Sequence, residues 1–152
     1  MTTASLEHVG LTVAELDRSA AFFRDVLGFR EQRRSRTGGA AAADITGIPG
    51  AQIDHVFLTT GDVELELLTY RAPAPGASAT TSPEVPGSMH LALRVDDLTA
   101  VLTRARAHGW CAPGHPRTMT TGPRAGTAMA YLRDSSGATL ELIQPPAPAA
   151  SR

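Results

Sequence analysis

The chain has 152 residues, the length of one ordinary domain or of two very small ones. Hydrophobic residues at 42% and charged residues at 19% supply a core and exclude a highly charged disordered chain. Fourteen cations, all of them Arg, against fifteen acids give a net charge of −1, without the basic excess of a nucleic-acid binder.

Residues 6–13 alternate in character. Val9, Leu11 and Val13 lie on one face, and His8, Gly10 and Thr12 on the other, which predicts a half-buried strand. A helix is expected next, with Asp17 as N-cap, a stripe of Leu16, Ala20, Phe23 and Leu27, and Gly28 as its stop. Strands follow near Phe29–Ser35, Ile53–Thr60 and Val63–Tyr70. Between the first two, Gly38–Gly50 is made of small residues and reads as a flexible loop, either a lid or plain surface. Ala72–Gly87, rich in Pro, Ala, Ser and Thr, reads as a linker. Beyond it a strand is expected at Met89–Val95, a helix from Leu98 to His108 ended by Gly109, and strands near Thr127–Arg133 and Ala138–Gln144. Pro113 and Pro116 obscure the strand due after Gly109. The domain reading is a first module at 1–71, a linker at 72–87, a second module at 88–145 and a flexible tail at 146–152. Cys111 has no second cysteine with which to form an intrachain disulfide, and it reads as a small buried residue. With neither a basic, apolar leader nor a run of about 20 apolar residues, the chain is expected to be soluble and cytoplasmic.

The order of elements repeats, and so do the residues. His8-Val-Gly-Leu-Thr-Val-Ala-Glu-Leu16 matches His90-Leu-Ala-Leu-Arg-Val-Asp-Asp-Leu98, and Leu65-Glu66-Leu67-Leu68 matches Leu140-Glu141-Leu142-Ile143. Strand parity puts His8, Glu66, His90 and Glu141 on the face away from the helices. Two imidazoles and two carboxylates converging there would suit a divalent first-row ion with positions left for substrate. Glu64 shares the parity of Glu66 and is its rival, but the flanking Leu-Glu-Leu match favours Glu66. His55, His108 and His115 have no repeat partner and read as strand, helix-end and loop residues. Arg94 is on the ligand face, either to hold an anionic substrate or as a strand-end ion pair. Arg30, Arg33, Arg34 and Arg36 read as a solvated edge strand. Phe57, Tyr70, Met119, Met129 and Tyr131 are pocket-lining or core residues.

The paired modules resemble the vicinal oxygen chelate superfamily of glyoxalases, bleomycin resistance proteins and extradiol dioxygenases. The resemblance is carried by His8-Val9-Gly10-Leu11-Thr12-Val13, Arg18-Ser19, Phe22-Phe23 and Leu27-Gly28-Phe29, and by Asp134-Ser135-Ser136-Gly137 through Leu140-Glu141-Leu142-Ile143. It spans residues 6–144 and is nearest to the glyoxalase and methylmalonyl-CoA epimerase branches. It implies an α+β fold in which two βαβββ modules form a curved mixed sheet around a metal and substrate cleft, with the helices outside. It further implies one divalent ion per site (Ni, Zn, Co, Mn or Fe) on His8, Glu66, His90 and Glu141. Glu141 or Glu66 would also be catalytic, moving a proton in isomerase or lyase chemistry on a small substrate with vicinal oxygens. Thr12, Phe57, Tyr70, Arg94, Met129 and Tyr131 are the substrate-contact candidates. Glutathione-gripping members carry Arg where this chain has Thr12. Two other activities stand beside this one: a metal-free small-molecule or antibiotic-binding resistance protein, and an Fe- or Mn-dependent dioxygenase. A homodimer is expected, because two modules leave open sheet edges.

Overall fold

The computed structural model describes residues 3–74 and 82–148. The chain divides into two compact units, Met1–Ala79 and Thr80–Arg152. The division falls within the linker expected at 72–87, whose residues 75–81 lie outside the described residues, as do residues 149–152 of the expected tail. The fold is α+β, with a four-stranded mixed sheet in each unit.

In the first unit the order is β1 (Val9–Thr12), α1 (Leu16–Asp25), β2 (Arg30–Gly38), α2 (Gly39–Thr46), β3 (Gln52–Thr60) and β4 (Val63–Ala72). The sheet order is β1-β4-β3-β2, with β1 parallel to β4 and the other pairs antiparallel. Alternation along β3 and β4 buries Val56, Leu58, Leu65 and Leu67 on the face that receives α1. Phe22 and Phe23 from α1 complete this core, and Phe23 meets Phe29 edge-on at 5.2 Å. Gly28, at φ 75°, reverses the chain after α1, and Phe29 N–H donates to the Phe23 carbonyl at 3.0 Å.

Two expectations for this unit are corrected. The helical ladder opens with Ser19 N–H on the Glu15 carbonyl, so Glu15 takes the cap position and Asp17 falls inside the first turn. The Asp17 carboxylate pairs with Arg34 instead. The small-residue stretch Gly38–Gly50 contains α2, closed by Gly47 in the left-handed region at φ 70° and by Thr46 Oγ1 donating to the Ala42 carbonyl at 2.7 Å. Its four consecutive alanines are the strongest helix formers available, and that outweighs the flanking glycines.

The second unit runs β5 (Leu91–Arg94), α3 (Leu98–Ala105) with a 3₁₀ turn at Arg106–His108, β6 (Arg117–Thr118), β7 (Ala128–Arg133) and β8 (Thr139–Gln144). Its sheet order, β5-β8-β7-β6, repeats the first, including the parallel outer pair β5 and β8. Asp97 caps α3 by accepting from Ala100 N–H at 2.9 Å. Trp110, Leu132, Leu140 and Leu142 are fully buried. Asp134 Oδ1 accepts from the backbone of Ser136 and Ala138, which sets the β7–β8 turn and so the register behind it. The strand obscured by prolines reduces to the two residues of β6 and a bridge between Cys111 and Arg133. Cys111 is exposed, not buried, because that bridge holds it at the margin of the sheet. No helix among the described residues is long and apolar enough to cross a membrane.

Candidate metal and substrate site

Each unit builds the same small constellation. His8 and His90 stand just before β1 and β5, and Glu66 and Glu141 stand on β4 and β8. The parallel pairing places Gly10 beside Glu66 and Ala92 beside Glu141. In the first unit His8 Nε2 lies 3.2 Å from Glu66 Oε2, and in the second His90 Nε2 lies 3.3 Å from Glu141 Oε2. Both carboxylates are largely buried, at 14% and 18% exposure, while the imidazoles are 38% and 42% exposed. The antiparallel register sets an aromatic ring opposite each carboxylate: Phe57 opposite Glu66 and Tyr131 opposite Glu141. Each histidine packs edge-on to that ring, His8 on Phe57 at 6.4 Å and His90 on Tyr131 at 5.4 Å.

These spacings fit a coordination shell. Two N/O donors each about 2.1 Å from an ion, at angles between octahedral and tetrahedral, lie roughly 3.0–3.4 Å apart. Imidazole nitrogen with carboxylate oxygen is also the donor chemistry of a divalent first-row ion. The donors that the two units share stop at this pair. Among the described residues no group of three or more His, Cys, Asp or Glu side chains stands ready to hold an ion.

The rival Glu64 is engaged elsewhere. Arg33 grips it with two hydrogen bonds of 3.1 Å, and the guanidinium holds its carboxyl below the usual range. The same guanidinium lies 3.6 Å from the centre of the Phe57 ring, so Phe57 is a buried support more than an open wall. Thr12 and Arg94 end β1 and β5 at matching positions, both exposed, and Tyr70 is half-buried on β4 two residues past Leu68. Met129, Tyr131 and Glu141 line a cavity of about 280 Å³, and the loop residue His115 joins them. A larger cleft of about 650 Å³ in the first unit carries Arg34, Arg36 and Arg71. Those three guanidiniums already pair with Asp17, Glu31 and Asp54.

One residue at this site was missed from the sequence. His55, read as an ordinary strand residue, lies on β3 with Nδ1 2.8 Å from Glu66 Oε1. An ionised carboxylate only accepts, so Nδ1–H is the donor. His55 is stacked nearly parallel to Phe57, with centroids 6.1 Å apart. A signal for it was present: the two-residue Gly61-Asp62 turn pairs Thr60 with Val63, and counting back puts Phe57 opposite Glu66 with His55 on the same face.

Comparison with known proteins bears on all of this. A 2-epi-5-epi-valiolone epimerase of Actinomyces sp. is 34% identical over 151 residues, covering 94% of this chain and 80% of that protein. A lactoylglutathione lyase of Haemophilus influenzae is 32% identical over 143 residues, covering 90% of each. Both of these relatives are enzymes. The crystal structure of a glyoxalase family protein from Bacillus cereus superposes with a TM-score of 0.77 at 22% identity, over 96% of this chain and 99% of that one. A family model matches residues 5–142, and the chain belongs to the Glyoxalase/Bleomycin resistance protein/Dioxygenase superfamily.

Proposed function

We propose that the chain is a metal-dependent enzyme of the glyoxalase and epimerase kind, which moves a proton at a carbon beside a carbonyl in a small substrate bearing two neighbouring oxygens. The observation that carries this is the repeated His–Glu pair, 3.2 Å in one unit and 3.3 Å in the other, at repeat-equivalent positions. In this reading His8, Glu66, His90 and Glu141 hold one divalent ion together, within one chain or between two. The name of the Actinomyces relative, an epimerase, favours isomerisation over lyase chemistry. A bound ion would supply Lewis acidity toward the substrate oxygens.

The chain's own residues do the rest. His8 and His90 present Nε2 from rings braced on Phe57 and Tyr131, which fixes the direction of each lone pair. One carboxylate of the pair Glu66 and Glu141 takes the proton from carbon and returns it, acting as base and then as acid. The cavity beside Glu141 gives a small substrate room against Met129 and Tyr131.

Turnover of candidate hydroxy-ketones and 2-oxoaldehydes in deuterated water, with Mn(II), Co(II), Ni(II) or Zn(II) added, tests this reading. Deuterium is expected at the carbon beside the carbonyl, and Glu141→Gln or Glu66→Gln should suppress its incorporation. Binding of small molecules with neither ion uptake nor deuterium incorporation would instead make the chain a metal-free binding protein.

A further inference from the structure

The two units repeat the His and Glu of each pair but differ in the residues around them. Counting along the antiparallel registers, Phe57 opposite Glu66 corresponds to Tyr131 opposite Glu141, and His55 opposite Leu68 corresponds to Met129 opposite Ile143. Gly10 beside Glu66 likewise corresponds to Ala92 beside Glu141. Where the first unit has an imidazole able to donate to its glutamate, the second has a thioether, which has no hydrogen to give. Glu66 is therefore held at both oxygens, Oε1 by His55 Nδ1 at 2.8 Å and Oε2 beside His8 Nε2 at 3.2 Å. Glu141 has His90 at 3.3 Å on Oε2 and lines an open cavity with Met129.

We propose that His55 is a positioning residue that clamps Glu66, and that Met129, standing at the same place in the second unit, leaves Glu141 unclamped, so that the two repeated carboxylates are unequal. Resting on the metal reading above, this makes Glu66 the fixed donor and Glu141 the carboxylate that can swing toward substrate. His55 is itself held. It stacks on Phe57, whose ring lies under the Arg33 guanidinium, and that guanidinium is fixed in turn by Glu64. Its Nε2 is buried and accepts no hydrogen bond among the described residues. The Nδ1–H tautomer is the one consistent with both facts, since it puts a hydrogen where there is an acceptor and a lone pair where there is no donor. A hydrogen bond to the free oxygen of a coordinating carboxylate orients it, and loss of such a bond lowers metal affinity by about 10- to 100-fold.

The experiment uses the full chain with four variants: His55→Met, which copies the second unit; His55→Asn, whose amide nitrogen falls where Nδ1 was; Met129→His, which copies the first unit; and Glu66→Ala, which removes the acceptor. Mn(II) is titrated calorimetrically into chelator-treated protein whose fold is checked by circular dichroism. His55→Met is expected to weaken Mn(II) binding about 10- to 100-fold, His55→Asn to recover most of the loss, and Met129→His to tighten it. Long-range ¹H–¹⁵N spectra of the metal-free protein supply an independent measure. His55 is expected to carry its proton on Nδ1 and to lose that preference in Glu66→Ala, which has no acceptor. Wild-type Mn(II) affinity in folded His55→Met, or an Nε2–H tautomer at His55, overturns the clamp and leaves the metal reading standing. A wild-type protein that binds no divalent ion, yet shows the Nδ1–H tautomer, refutes the metal reading and the division of labour with it.

Discussion

Removing one histidine from either pair should erase a metal-dependent gain in thermal stability. An ion that binds the folded chain at 100 times its dissociation constant stabilises it by about 2.7 kcal/mol. For a chain of this length each kcal/mol raises Tm by about 2–4 °C, so the expected upshift is about 5–10 °C. His8→Ala or His90→Ala deletes one of four proposed donors. A loss of at least about 100-fold in affinity then leaves the ion near its dissociation constant, with about 0.4 kcal/mol of stabilisation and about 1–2 °C of upshift. The assay is differential scanning calorimetry of chelated protein with and without added Mn(II) or Zn(II), read as the difference within each variant so that baseline stability cancels. His108→Ala, at the end of the 3₁₀ turn and far in sequence from both pairs, should keep the full upshift. If His8→Ala keeps it, or His108→Ala loses it, the donor assignment is wrong.

Gly10→Ala should be close to neutral for fold and ion uptake, because the new Cβ would lie 3.6 Å from Glu66 Oε2, an ordinary contact, and Ala92 already occupies the matching place. A melting temperature or Mn(II) affinity far from wild type would show that the two units are less alike than their registers. Glu31→Gln tests the β2 ion-pair network. Arg34 holds the Glu31 carboxyl below the usual range by a hydrogen bond. Its contribution to stability is therefore complete above the ordinary carboxylate pKa and fades as pH falls through the lowered folded value. Urea melts of wild type and variant should differ at pH 7 and converge well below pH 4, and a difference independent of pH would contradict the cause.

The two His–Glu contacts were legible because a strand has a period of two. Once His8 and His90 were matched, parity together with the repeated Leu-Glu-Leu singled out Glu66 and Glu141, and the parallel registers of β1–β4 and β5–β8 set each beside the strand that its histidine precedes. His55 was not legible as a solitary histidine, since its role depends on a cross-strand neighbour and not on its own surroundings in sequence. It needed the register of the β3–β4 hairpin, which the short turn supplies but which the repeat does not mark. The helix α2 was not legible for another reason: small residues are common to loops and to helices, and here the run of alanines favours the helix. The exposure of Cys111 depended on a single bridge to Arg133 that no local pattern announces.

The parallel pairing of the outer strands also bears on the order in which the chain folds. β3 and β4 are joined by two residues and can zip from their turn, whereas β1 reaches β4 only by bringing together positions such as Gly10 and Glu66 across nearly the whole unit. Closing so long a loop costs entropy before any ladder bond returns it, which makes this the slow, high-contact-order step in each unit. Glu66 and His55 share the β3–β4 hairpin and can meet early, while His8 arrives with β1. In a refolding experiment followed by pulsed hydrogen exchange, amides of β3 and β4 would then gain protection before those of β1, and an ion could add its stabilisation only to the late, nearly native chain.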